Sequence, residues 1–165
     1  MESLVTWFTA HLGAYISEQA VVFIISLMPL LELRGGLLAG SLLKVPVAQA
    51  IPLSIIGNIL PIPFILLFIR QIFKWMKKIK IFRGLVERLE AKAMGKSDRI
   101  QRYEFWGLVA FVGIPLPGTG AWTGSLIAAL LGVKNKKAVP AILLGLVLAT
   151  IIMSVVSYGI LGKVW

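Results

Sequence analysis

The side chains best placed to do chemistry are Glu32 and Arg34, inside Met28–Gly36, which reads M-P-L-L-E-L-R-G-G. From Val21 to Leu43 nearly everything around them is apolar. A carboxylate and a guanidinium at bilayer depth each cost at least ~2.5–3.5 kcal/mol, so they must pair or face a cavity. Spaced two apart, they do not face each other on a regular helix. An unwound tip brings them together, and Pro29 with Gly35-Gly36 makes unbroken helix unfavourable there. Two readings stand side by side. Either the pair neutralises itself and holds the chain, or Arg34 is an anion ligand and Glu32 a proton carrier. Desolvation and a neighbouring cation act on a glutamate's proton affinity in opposite senses, so the sequence leaves this open.

A second polar break, G-I-P-L-P-G-T-G-A-W-T-G, runs from Gly113 to Gly124. Beside Pro117, Gly118, Gly120 and Gly124 allow tight backbone, which serves either close packing of the hairpins or N–H groups that cradle a phosphate. Thr119 and Thr123 donate to a ligand or cap the following helix. Trp122 packs on the opposite tip or flanks a ligand. Asn58, the one amide between 47 and 69, either bonds between helices or faces a pathway. The candidate substrate or proton site is therefore Glu32, Arg34, Gly35, Gly36, Asn58, Pro117, Gly118, Thr119, Gly120, Trp122 and Thr123.

Enzyme chemistry is not expected. His11 is the only histidine and cysteine is absent, so no nucleophile–histidine pair and no metal cluster can be assembled, and no cofactor motif is present. At 58% hydrophobic residues and a mean hydropathy of +0.91, the chain exceeds the roughly 45–50% apolar content of soluble domains. It reads as a single multi-pass membrane domain over 1–165, without a cleaved signal peptide. The net charge of +10 does not imply nucleic acid. Of 17 basic residues, 14 lie in 70–102 and 134–137, beside apolar spans. That is the pattern of the positive-inside rule and of attraction to membrane lipids.

These elements position the candidates. Residues 1–17 read as a helix lying in the interface, with Leu4, Trp7, Phe8 and Leu12 on its apolar face. Residues 18–43 fit a hairpin dipping to the midplane and returning, since each arm is about 12–15 Å long, half of a ~30 Å core. Residues 47–69 form a span and 70–104 a basic amphipathic cytoplasmic linker. Residues 105–131 repeat the hairpin, and 138–162 form a second span.

Sliding the chain on itself by 88 positions aligns Val21 with Val109, Phe23 with Phe111, Pro29 with Pro117 and Gly36 with Gly124. It also aligns Pro52 with Pro140 and Gly57 with Gly145. Two repeats follow, 18–69 and 105–165, each a re-entrant hairpin and one crossing. With a single crossing per repeat the second copy is inverted, and all 14 clustered basic residues fall on one side. The tips then meet at the midplane, where helix N-termini and Arg34 suit an anion.

At E-L-R-G (Glu32–Gly35), G-N-I-L-P-I-P-F (Gly57–Phe64) and P-L-P-G-T-G-A-W-T-G (Pro115–Gly124) the chain resembles the small multi-drug export proteins of bacteria and archaea. That family is similar in layout to the DedA/VTT membrane proteins, which carry paired re-entrant hairpins and are linked to proton-dependent lipid-carrier transport. DedA-like proteins carry arginines in the second hairpin, where this chain has Thr119, Trp122 and Thr123. The resemblance implies a transporter in a prokaryotic cytoplasmic membrane. The expected substrate is small and anionic or amphiphilic, a lipid phosphate among the options, with alternating access and protons as a coupling partner. A homodimer or larger assembly is expected. Export of drug-like cations and a non-transporting pore or scaffold are the competing readings.

Orientation is testable because the chain is free of cysteine. Single cysteines at Asn135 and Ser3, probed on intact cells with an impermeant thiol reagent, should give labelling at Ser3 and protection at Asn135. The reverse pattern would make both hairpins full crossings.

Overall fold

The computed structural model describes residues 5–7, 9, 11, 16–79, 83–84, 86–88, 91, 97–116 and 118–160. Among these the fold is all-helical: α1 (Glu18–Leu27), α2 (Glu32–Leu42), α3 (Val47–Ile59), α4 (Ile62–Lys78), α5 (Ser97–Gly113), α6 (Ala121–Leu131) and α7 (Asn135–Ser154), which runs into a π-helical turn, Val155–Ile160. The stretches Val47–Ile69 and Asn135–Gly159 are long and apolar enough to cross a bilayer. Of the expected N-terminal helix, residues 5–7, 9 and 11 are helical, with Val5 fully buried and Trp7 stacked on His11; the rest lies outside the described residues.

Local chemistry sets the boundaries. Ser17 is extended and its hydroxyl accepts from Ala20 N–H, which caps α1. Glu18 places a negative charge in that first turn. Pro61 lacks an N–H and Leu60 precedes it, so the helix is interrupted at 60–61 and restarts as α4 with Pro63 in its first turn. Pro52 and Pro140 by contrast lie inside α3 and α7.

The register of 88 recurs in the backbone. α2 ends with Lys44 in the left-handed region at φ 57°, and Val45 N–H donates to Gly40 O at 2.8 Å. α6 ends with Gly132 at φ 75°, and Val133 N–H donates to Ala128 O at 3.0 Å. Both are the same helix-terminating motif at matched positions. Val47 and Asn135 then start α3 and α7 after an extended residue with ψ 135° in each case. Glu32 and Gly120, also matched, both have positive φ, 52° and 133°.

Packing follows the same plan. α3 lies against both α1 and α2, and α7 lies against α5. At Gly57 an added Cβ would stand 2.7 Å from Phe23 O, and at Gly145 it would stand 2.8 Å from Val109 O. Each long helix therefore touches its neighbour's backbone through a glycine. The second half is more open, because α6 packs chiefly on α4 and only lightly on α5. The largest buried cluster joins Leu33 and Leu37 of α2 to Leu108 and Val112 of α5 and Ile142 of α7. Outward, Phe64, Phe68 and Trp75 on α4 and Val147, Ile151 and Val155 along α7 stand exposed, an apolar surface that lipid or another chain would have to cover.

Three expected boundaries shift. α2 begins at Glu32, ahead of Gly35, because Glu32 itself makes the reversal and its N–H closes the turn on Met28 O at 2.9 Å. Gly35-Gly36 is helical instead, and at Gly36 an added Cβ would run into Ser26 and stand 2.7 Å from Ser54 Oγ. The helix assigned to the surface from residue 70 is continuous with the apolar part of α4 down to Lys78. Residues 97–104, expected in the linker, form the first part of α5.

Gly57→Leu and Gly145→Leu should each destabilise by about 1–3 kcal/mol through overpacking. Gly84→Leu, where an added Cβ meets nothing within 4 Å, should have little effect. Thermal unfolding of the purified protein in detergent reads all three.

Candidate functional site

The reversal at Glu32 turns its side chain out of the first tip and across to the second. The Glu32 carboxylate accepts from both N–H groups that open α6: Oε2 from Ala121 N at 2.9 Å and Oε1 from Trp122 N at 3.2 Å. Asn58 of α3 adds a side-chain hydrogen bond to the same carboxylate. The first N–H groups of any helix have no partner within it, and a carboxylate there satisfies them and meets the positive end of the helix dipole. Gly120 is what lets the carboxylate approach. Its φ of 133° suits glycine, and a Cβ added there would collide with the Glu32 carboxyl group.

Arg34 reaches the opposite end of the same turn. Its Nη1 donates to Leu116 O at 2.7 Å, and its Nη2 donates to Ile114 O at 3.2 Å and to Thr119 Oγ1 at 2.8 Å. Ile114 and Leu116 are the carbonyls that follow α5, so the guanidinium sits at the negative end of that helix. The Thr119 hydroxyl also stands 2.9 Å from Ile114 O and 2.8 Å from Leu116 O. With one hydrogen it donates to one of them at a time while accepting from Arg34.

Glu32 and Arg34 therefore do not neutralise each other by a direct ion pair. Each is spent on a helix end of the second tip, acid on the N-terminus of α6 and base on the C-terminus of α5. Both are buried, at 5% and 8% exposure. Charge-to-dipole contacts of this kind are worth roughly 0.3–2 kcal/mol each, with the upper end reached in partly buried geometries.

Of the residues singled out from sequence, Glu32, Arg34, Asn58, Thr119, Gly120 and Trp122 meet at this junction. Gly118 belongs to the same loop with φ 73°. Gly35 and Gly36 stand inside α2 and serve its packing, Thr123 lies within the first turn of α6, and Pro117 is outside the described residues. Sequence reasoning missed Ala121, Ile114 and Leu116, which act through backbone N–H and C=O groups that any residue carries. It also passed over Ser54, whose Oγ is buried without a partner beside Gly36. Two more buried atoms are unpartnered here: Asn58 Oδ1 and the indole Nε1 of Trp122.

A protein-family profile described as "Putative small multi-drug export protein" matches residues 32–152. The match opens on Glu32 and takes in the whole junction. No curated protein and no solved structure matches the chain.

Replacing Arg34 by Ala removes its hydrogen bonds to the Ile114 and Leu116 carbonyls and the Thr119 hydroxyl and should cost about 1–3 kcal/mol. Arg34→Lys should recover only part of this, since an ammonium lacks the planar fork that spans them. Gly120→Ala should destabilise as Glu32→Ala does, and in the double variant the two effects should not add, because both remove the same contact. Thermal melts of the five proteins decide this.

Proposed function

The chain belongs to the small multi-drug export protein family, and on that premise we propose that it is a multi-pass membrane transporter whose gate is the junction of the two tips. The observation that carries the reading is the buried cross-tip clamp, in which Glu32 and Arg34 hold both helix ends that flank the 114–120 turn. Functional charges at bilayer depth face the interior and bind broken backbone. The lengths of α1, α2 and α6, at 10 to 11 residues, support re-entrant arms that stop near the midplane, about 15 Å deep.

In this reading the two repeats are inverted, and α5–α7 and α4–α6 rock relative to α1–α3 in alternating access. Release of the clamp opens the junction to one side, and its closure seals it. Glu32 is the group available to carry a proton when freed. Exposed Lys134, Lys136 and Lys137 and the basic linker face the cytoplasm of a prokaryotic cell, where anionic headgroups attract them. The substrate is small and anionic or amphiphilic, and a lipid phosphate fits both descriptions. The exposed apolar face of α4 and α7 supports contact with lipid or with a second copy in a dimer. No bond is made or broken in this cycle, so no catalytic residue or cofactor is assigned.

Proteoliposomes test it. With an imposed proton gradient, purified protein should move a fluorescent phosphatidate, and Glu32→Gln and Arg34→Ala should reduce the rate at least about tenfold, the scale expected when buried hydrogen-bonded charges are removed. Movement of ethidium in its place would favour the drug-like cation reading. Conductance that is unaffected by either substitution would identify a passive pore.

A further inference from the structure

We propose that the N-terminus of α6 is an oxyanion site that Glu32 fills as an internal stand-in, and that an acidic substrate group, carboxylate or phosphate, enters by exchanging with the Glu32 carboxylate. The proposal deepens the transporter reading, on which it rests, by naming the ligand class and its place.

The site is built and holds an anion. An eleven-residue helix offers two N–H groups, Ala121 and Trp122, that converge on carboxylate oxygens, and Gly120 leaves their approach free of a side chain. An oxyanion that accepts these two N–H groups needs nothing further from the helix. Independent of the helix end, Asn58 is 1% exposed, bonds to the same carboxylate and keeps Oδ1 without a partner. Trp122, whose main chain holds Glu32, keeps its indole Nε1 buried and unpartnered. The orphan acceptor thus sits on a side chain that already touches the site's present occupant. A buried polar atom without a partner costs about 1–3 kcal/mol. A monoprotonated phosphate carries an O–H for an acceptor such as Asn58 Oδ1. An ionised carboxylate has no O–H to offer.

Charge supports an exchange. With Glu32 withdrawn, Arg34 is left as a buried cation beside the vacated N–H groups, which favours another anion in its place. Arg34 itself stays on Ile114, Leu116 and Thr119, and so acts as a positioning residue that keeps the turn, and with it the two N–H groups, in place. The arrangement makes Glu32 a tethered competitor of the substrate.

The test uses the full chain, with binding read as a thermal shift and no gradient applied. Sodium formate and inorganic phosphate are titrated against sodium chloride at equal ionic strength, on the wild type, Glu32→Ala and Glu32→Asp. A parallel arm uses phosphatidylcholine vesicles with and without phosphatidic acid. Glu32→Asp shortens the tether and keeps the test decisive should Glu32→Ala not fold. The expected result is saturable stabilisation of the wild type by an oxyanion and not by chloride. Half-saturation should come at about tenfold lower concentration in Glu32→Ala, where the internal competitor is gone, and should also fall in Glu32→Asp, whose shorter tether weakens the competitor. Gly120→Val, which fills the approach, should abolish it. Response to phosphate or formate alone assigns a soluble oxyanion, and response to phosphatidic acid alone assigns a lipid headgroup. Either supports the proposal.

Stabilisation of the Glu32 variants with none of the wild type would overturn it, leaving Glu32 as a structural cap; so would no response in any protein. A protein that binds without transporting in the vesicle assay keeps the site and loses the transporter reading. One that transports without binding loses only the site.

Discussion

The constraint on which the structure depends is that a charge buried among apolar helices must be hydrogen-bonded, and here the partners are the bare ends of other helices. Glu32 and Arg34 need acceptors and donors that their own tip does not hold. α5 and α6 end and begin inside the protein with carbonyls and N–H groups that no helix can satisfy within itself. Each deficit is met by the other. Had the two side chains paired directly, the buried N-terminus of α6 would have stayed unmet, at about 1–3 kcal/mol for each group, and the carbonyls after α5 would have lost their cation. The cross-tip arrangement is favoured because it satisfies more groups with the same two charges.

That contact ties together parts that otherwise hold loosely. α1, α2 and α3 form one well-packed unit, and α5 lies along α7, whereas α6 leans on α4. The chain enters α4 through the turn at 60–61 and enters α6 through the turn at 114–120. Both turns border the junction. Asn58 comes just before the first, and Thr119 and Gly120 end the second. Since the clamp grips the far turn on both sides, its integrity sets the position of α6 relative to the α1–α3 unit.

Much of this was legible in the sequence, in proportion to how far each feature depends on side-chain identity. Pro29, Gly35-Gly36 and the charges between them announced a broken segment. The alignment of Pro29 with Pro117 and Gly57 with Gly145 announced a repeat that reappears as shared termination at Lys44 and Gly132 and shared close approach at both glycines. The meeting of the tips was expected as well. What escaped was the partner of each charge. The sequence left open whether Glu32 and Arg34 pair with each other or serve as proton carrier and anion ligand, while the partners seen lie some eighty to ninety positions away (82 for Leu116 and 89 for Ala121) and are backbone atoms. The role of Gly35 was misread for a related reason. A glycine pair suggests a turn, but Glu32 accepts the positive φ itself, which frees the glycines for packing.

The asymmetry between the repeats follows from the same contact. Glu32 and Gly120 occupy equivalent positions and share positive φ, yet one has the longest acidic side chain and the other has none. If position 120 also carried a glutamate, its Cβ would collide with the Glu32 carboxyl group, and a second buried negative charge would face the first. If position 32 were glycine, the N-terminus of α6 would be uncapped and Arg34 would lack an opposite charge at the junction. Two tips that meet face to face can be alike in backbone, but one must supply the charges and the other the space. Of the two, the second has Trp122 where the first has Arg34, so its polar capacity lies in main-chain N–H and C=O groups. The difference in side chains at these matched positions lets the two turns approach, and among the described residues it brings the buried charges Glu32 and Arg34 together at one junction.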